Sequence, residues 1–563
     1  MRILLIATAF NSLSQRVHAE LSDEGHEVAV VLAACGEQEM RQAVFGQGGG
    51  GPDAAPRFDL CIAPMLTSAI PQDVWSTLPC LIVHPGPPGD RGPASLDWAL
   101  HRGVETWGVT VLQAVAEMDA GPVWASAAFR IPPGVSKSEI YRGELADAAS
   151  RAVHEAVRRI ASGRRPWLPR ESTARGTFPQ QLRRIDWTAD STEHVSTLLR
   201  AADSSPGVLD EAGRRTYYLY GGEPEYALRG RPGTWLATRA GAACRATADG
   251  AVWISHAKPK RRPDGPRGIK LPAAIALAGQ VGHLPECPGS PEITYRERGE
   301  VGMLGFGFPG GATSTEQCRR LLRGYRHALR RRTKVLILGG RRDFFGNGIH
   351  LGVIDAADSP ADESWANINA IDDVVEAVLR TTDRLVIAAL GGNAAAGGAV
   401  FGLAADEVWL RRGVVLNPHY RLMGLYGSEY WTYLLPRRVG QAEGDRLTQA
   451  ALPVCAAAAV RGGLADRLLE ASPQEFTEAV WAGAFELAAA PDLGARIAAK
   501  ARRLEKDEAE RRLEDYRREE LARMREIFYD PHAPYHALRS AFVRKAVPER
   551  TPEHLVGLAS AVR

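Results

Sequence analysis

The stretch from Ala388 to Asp406, AALGGNAAAGGAVFGLAAD, limits what the chain can fold into more than any other. It sets Gly391-Gly392 and Gly397-Gly398 between an all-apolar run, LVIAAL, and a run of helical composition, AVFGLAAD. A short apolar run closed by glycine predicts a buried strand, and glycines after it predict a strand-to-helix turn that a ligand can approach closely. Amides at the start of that helix have no intrahelical partner. They can therefore face developing negative charge, such as the oxygen of a polarised carbonyl. Small residues also suit a helix packed tightly on a sheet, and the segment by itself leaves both readings open.

With 563 residues the chain exceeds what one core supports, and several domains are expected. Apolar residues make up 45% and charged residues 24%, a balance that argues against disorder. No apolar run reaches the roughly 18 residues of a membrane span. The opening MRILLIATAF reads as a buried strand and not as a signal peptide, so a cytoplasmic protein is expected. The 69 basic and 66 acidic residues nearly cancel, which gives no case for nucleic acid or membrane partners. Seven cysteines without a CxxC pair make a disulfide framework or structural zinc unexpected, and no metal site is predicted.

The first third reads as strand (RILLIATAF), helix (SLSQRVHAELSDEG) and strand (EVAVVLA), the start of a parallel, Rossmann-like sheet. No GxGxxG follows the first strand, so a dinucleotide is not the expected ligand. The Gly-rich GQGGGGPDAAP reads as a surface loop. Ligands of α/β sheets bind beyond the carboxyl ends of strands, where His84 falls after CLIV. Asp119 lies in a later turn before Gly121-Pro122. A carboxylate brought to an imidazole orients it for proton transfer, although a capping Asp and a structural His fit the same spacing.

The order AIPQDVW, HPGPPGDRG, WGVTV and MDAGPVW resembles the catalytic domain of the 10-formyltetrahydrofolate-dependent formyltransferases over residues 1–165. The resemblance implies that His84 and Asp119 are catalytic and that the co-substrate is 10-formyltetrahydrofolate. That family keeps an Asn two residues before the histidine to polarise the formyl carbonyl. Ile82 stands here instead, and Gln15 is the candidate replacement amide. Arg91 and Arg130 are the basic candidates for cofactor binding in this domain. Residues 166–257, with RIDW and a helix before Pro-Gly, are similar to the small OB-like β domain that follows many formyltransferase domains. A linker is expected over 258–291. Its Lys258, Lys260, Arg261 and Arg262 either stay solvated or meet the phosphates of a ligand.

From Glu292 the strand-helix-strand pattern returns with VGMLGFGF, TEQCRRLLRGYRHALRRR and KVLILGG. The cations Arg330 to Arg332 suit the helix C-terminus. FFGNGIHL followed by LGGNAAAGGAVFGLAAD resembles the crotonase (enoyl-CoA hydratase/isomerase) superfamily over residues 292–485. The resemblance implies that the amides of Ile349 and Gly397, flanked by Gly348 and Gly398, bind the thioester oxygen of a coenzyme A ester. The two hydratase glutamates are replaced by Val400 and Tyr420, so ordinary hydration is not expected. Tyr420 and Glu429 are the remaining polar candidates, with Glu429 alternatively serving a helix N-terminus. The tail, 486–563, reads as a charged amphipathic helix from Arg496 to Phe528. Arg539 and Arg544 lie beyond it as candidates to close over a ligand.

The expected fold is therefore multidomain α/β: a Rossmann-like domain, a small β-rich domain, a crotonase-like domain and C-terminal helices. Both modules in this order resemble the HypX/HoxX family of [NiFe]-hydrogenase maturation factors. That likeness implies formyl transfer from 10-formyltetrahydrofolate to coenzyme A, decomposition of formyl-CoA to carbon monoxide, and hydrogenase maturation proteins as partners. The alternatives are an amine-directed formyltransferase fused to an acyl-CoA hydrolase or isomerase, and a non-catalytic scaffold that senses folate or coenzyme A.

Overall fold

A computed structural model describes residues 1–46 and 55–557. Most of the Gly-rich stretch read as a surface loop lies outside the described residues. The chain forms two compact units, one of residues 1–260, 272–285 and 546 onward, the other of residues 261–271 and 286–545.

The first unit opens on a sheet with strand order Glu27–Leu32, Arg2–Ala7, Leu60–Pro64, Cys80–His84, Thr106–Gln113, Val123–Arg130. The first four strands run parallel, as expected, and the last two antiparallel. Apolar residues such as Leu4, Ile6, Val31 and Cys61 fill one face of this sheet. His84 ends the innermost parallel strand opposite Thr110 and so stands at its carboxyl edge.

A second sheet of the same unit is antiparallel, in the order Trp235–Arg239, Ala242–Ala246, Ala251–Pro259, Arg215–Glu225, Val208–Ala212. The helix Thr192–Ala202 lays Val195 and Leu199 into its core with Leu219 and Ile254. Within 258–291, where a linker was expected, Ala273–Ala276 and Ala278–Val281 are short helices, and Ala273, Leu277 and Val281 are buried in that core. Near the end of the chain Thr551 returns to this unit, where its hydroxyl accepts from Leu32 N at 3.0 Å.

The second unit repeats one device three times. Strands Val335–Gly339, Leu385–Leu390 and Glu407–Arg411 run parallel in the main sheet. Each turns into a strand of a second, smaller sheet: Phe344–Gly346, Asn393–Ala395 and Val415–Asn417. Crossing helices such as Thr315–Leu329 and Pro360–Leu379 bury Leu321, Ile371 and Val375 against the main sheet. The tail is two helices, Leu493–Glu510 and Leu513–Tyr529, where one was expected. Arg511 is extended (φ −154°), and Glu508 accepts the free Leu513 N–H at 3.1 Å, satisfying the start of the second helix.

Candidate functional sites

The first site is built around a buried imidazole. His84 Nε2 lies 3.0 Å from Asp90 Oδ2, and Nδ1 lies 3.5 Å from Asp119 Oδ2. Asp90 is itself fixed: Ser95 Oγ donates to its Oδ2 at 2.6 Å, and Arg175 ion-pairs with it. A carboxylate engaged by a hydroxyl at Oδ2 and by a guanidinium at Oδ1 is an acceptor, so Nε2 carries the hydrogen and Nδ1 keeps the lone pair. Burial lowers the His84 pKa, the Asp119 charge raises it, and the Arg175 charge lowers it again. The net shift is downward, favouring the neutral ring. Asp119 adopts φ +55°, and Gly92 N donates to its Oδ2 at 3.1 Å.

The other predicted residues of this unit lie outside this cluster. Gln15 Nε2 donates to Phe10 O at 3.0 Å. Ile82 packs partly buried against the sheet core. Arg91 pairs with Glu117, and Arg130 is exposed at a strand end. Asp90 and Arg175 escaped the sequence reading. The available signal was a carboxylate six residues after the histidine in HPGPPGDRG, but nothing in the sequence brings Arg175 beside it.

The second site forms where two second-layer strands end. Gly348 (φ +73°) places its Cα so that a Cβ there would lie 3.2 Å from Gly397 N, bringing the two predicted amide segments together. A Cβ on Gly398 would overlap the Gly346 carbonyl, and one on Gly397 would overlap Glu429 Oε1. The approach at 398 is to backbone and requires glycine, while that at 397 is to a side chain. Among the described residues, neither Ile349 N nor Gly397 N donates to a carbonyl in a loop or cap. Amides left without a backbone partner suit the carbonyl oxygen of a thioester.

Tyr420 OH donates to Glu429 Oε2 at 2.7 Å. The residues are 5% and 1% exposed, so the pair is shielded from bulk water. Burial, then the charge of Asp372, raises the Glu429 carboxyl to about 8. The Tyr420 phenol is raised well above its ordinary value by burial and by Glu429. Glu429 does not serve the N-terminus of the helix Trp431–Val439. Glu520 does, accepting from Tyr430 N and Thr432 N at 2.9 Å each. Val400 is fully buried. Arg539 and Arg544 both pair with Asp355, and Arg261 Nε donates to Gly265 O at 2.9 Å while Arg262 is exposed. Asp372 and Glu520 were missed because both sit inside helices without a motif. Among the described residues no group of three or more His, Cys, Asp or Glu is set to hold a metal ion, and no helix is long and apolar enough to cross a membrane.

The formyl transferase family matches residues 54–157, the formyl transferase C-terminal domain 178–265, and the enoyl-CoA hydratase/isomerase family 320–550. Fold and sites together define a formyltransferase module joined to a crotonase-type module. The hydrogenase maturation factor HoxX of Bradyrhizobium diazoefficiens is 48% identical over 567 residues, covering 99% of this chain and 97% of its own. The crystal structure of HypX from Aquifex aeolicus in complex with tetrahydrofolic acid is 40% identical at a TM-score of 0.91, with 99% and 98% coverage. Methionyl-tRNA formyltransferase of Roseiflexus castenholzii is 30% identical over 208 residues, 34% of this chain and 63% of the relative. The chain belongs to the HoxX/HypX family of hydrogenase maturation factors.

Proposed function

We propose that the protein makes carbon monoxide for the iron of a [NiFe] hydrogenase, from the formyl group of 10-formyltetrahydrofolate, by way of coenzyme A. In the first site His84 takes the thiol proton on Nδ1 as sulfur attacks the formyl carbon. It returns that proton to N10 of the folate as the carbon–nitrogen bond breaks. Asp90 holds the ring by Nε2, and Asp119 stabilises the imidazolium formed in between. The products are formyl-CoA and tetrahydrofolate.

In the second site the amides of Ile349 and Gly397 hold the formyl oxygen. Glu429, as carboxylate, takes the formyl proton. The carbon–sulfur bond breaks, carbon and oxygen leave as carbon monoxide, and Glu429 returns the proton to the thiolate. Tyr420, less acidic than Glu429, donates into the carboxylate and steadies its charge. Burial of the pair keeps out the water that would divert formyl-CoA to formate. The hydratase glutamates activate water, and their replacement by Val400 and Tyr420 agrees with this chemistry.

The observation that carries the reading is the Tyr420–Glu429 pair seated against the Gly397 backbone. Formyl-labelled 10-formyltetrahydrofolate given with coenzyme A tests the route. Label should pass through formyl-CoA into carbon monoxide, and His84→Ala should stop it before formyl-CoA. Label ending in formate would replace this reading with a hydrolase, and label on an amine would replace it with an amine-directed formyltransferase.

A further inference from the structure

Glu429 and the next residue, Tyr430, are both left-handed, with φ of +62° and +61°. Two consecutive non-glycine residues in that region are strained and persist only where their surroundings hold them. Two carboxylates do so. Asp372, on the helix Pro360–Leu379, accepts from Glu429 N at 2.9 Å and from Ser428 Oγ at 2.7 Å. Glu520, on the helix Leu513–Tyr529, accepts from Tyr430 N and Thr432 N, and from the Thr432 hydroxyl. Asp372 and Glu520 are both 0% exposed.

We propose that Asp372 and Glu520 are positioning residues of the second site. Together they clamp the Glu429–Tyr430 backbone so that the Glu429 carboxyl lies against the Gly397 backbone, and Asp372 sets a second acidic group beside it. This rests on the reading of Glu429 as the group that moves the proton.

Each carboxylate accepts with both of its oxygens, which an amide, carrying a donor in place of one oxygen, cannot do. A carboxylate also adds its field. Among the described residues no cation pairs with Glu429. Tyr420 donates a hydrogen bond, Cys318 is a thiol whose own pKa is raised by burial and then by Glu429, and the helix Gly397–Leu403 carries no titratable side chain. Arg517 pairs with Asp373 (2.7 Å) and Glu376 (2.9 Å) and reaches Asp372 at 3.9 Å, where its charge favours the ionised form of Asp372. The Asp372 carboxylate therefore shares a low-dielectric region with those of Glu429 and Glu520 and opposes their ionisation, and Glu429 opposes that of Glu520.

The isosteric variants Asp372→Asn and Glu520→Gln each keep one acceptor oxygen and remove the charge. Infrared difference titration of the full-length protein, with Glu429→Gln to identify the band, reads the Glu429 carboxyl directly. In Asp372→Asn its midpoint should fall by about one pH unit, and Glu520→Gln should move it the same way by less. The pH dependence of formyl-CoA turnover should move with it. Should one variant fail to fold, the other carries the test. A midpoint that stays put in a folded variant, with only melting temperature or rate reduced, would overturn the proposal and leave both residues merely structural. If the midpoint shifts but Glu429→Gln still turns over formyl-CoA normally, the field effect stands and the assignment of Glu429 as proton carrier fails.

Discussion

Asp90 stands nearer to His84 than Asp119 does, 3.0 Å from Nε2 against 3.5 Å from Nδ1. The two carboxylates therefore do different work on one ring: Asp90 sets the tautomer, and Asp119 borders the nitrogen left free to accept a proton. Asp90→Asn should lower formyl transfer by about 100-fold or more, because the amide no longer enforces the Nε2–H form. Nitrogen-15 NMR of His84 should show the second tautomer appearing. Unchanged deformylation of the folate in Asp90→Asn would make Asp119 the sole orienting carboxylate.

The two glycines at the second site should fail differently when given a methyl group. Gly397→Ala pushes on the Glu429 carboxyl, a side chain that can move, so the fold should hold while formyl-CoA turnover falls by about 100-fold or more. Gly398→Ala meets the Gly346 backbone, which cannot give way cheaply, and should destabilise the unit by about 1–3 kcal/mol. Thermal melts beside turnover measurements separate the two effects.

Turnover of formyl-CoA should depend on pH through Glu429, whose carboxyl is raised to about 8. The base form is the working form, so the rate should climb as pH rises towards 8 and level off above it. The Tyr420 hydroxyl favours the charged carboxylate, and its loss should move the midpoint higher. Tyr420→Phe is thus expected to shift the profile to higher pH, opposite in sign to Asp372→Asn. A profile falling with rising pH would assign Glu429 as an acid instead.

Arg539 and Arg544 share Asp355, and Arg539 and Asp355 are nearly inaccessible to solvent. Removing the carboxylate leaves a buried guanidinium unpaired. Asp355→Ala should cost about 3–5 kcal/mol in denaturant unfolding. A much smaller loss would mean that the guanidinium finds other partners.

The parts of this molecule legible in its sequence are those that depend on local pattern. The buried strand LVIAAL, the glycine turns and the opening strand-helix-strand are written in neighbouring residues, and the two family resemblances follow from them. The helix Gly397–Leu403 stops before the end of AVFGLAAD, because the chain there already leads into the strand Glu407–Arg411. What stayed hidden depends on distant pairing. Arg175 reaches Asp90 across 85 positions of chain, and Asp372 and Glu520 converge on Glu429 from two separate helices. A buried acid in a helix looks the same in sequence as one on a solvated face. The split of the charged tail at Arg511 was hidden for a similar reason, since helix-forming residues run straight through it.

The most direct test of the two-step account is carbon monoxide release, followed by haemoglobin absorbance, from purified protein given 10-formyltetrahydrofolate with and without coenzyme A. The account predicts release that requires coenzyme A, is abolished by His84→Ala, and is replaced by accumulating formyl-CoA in Glu429→Gln. Deformylation of the folate without carbon monoxide, or release that survives without coenzyme A, would contradict it.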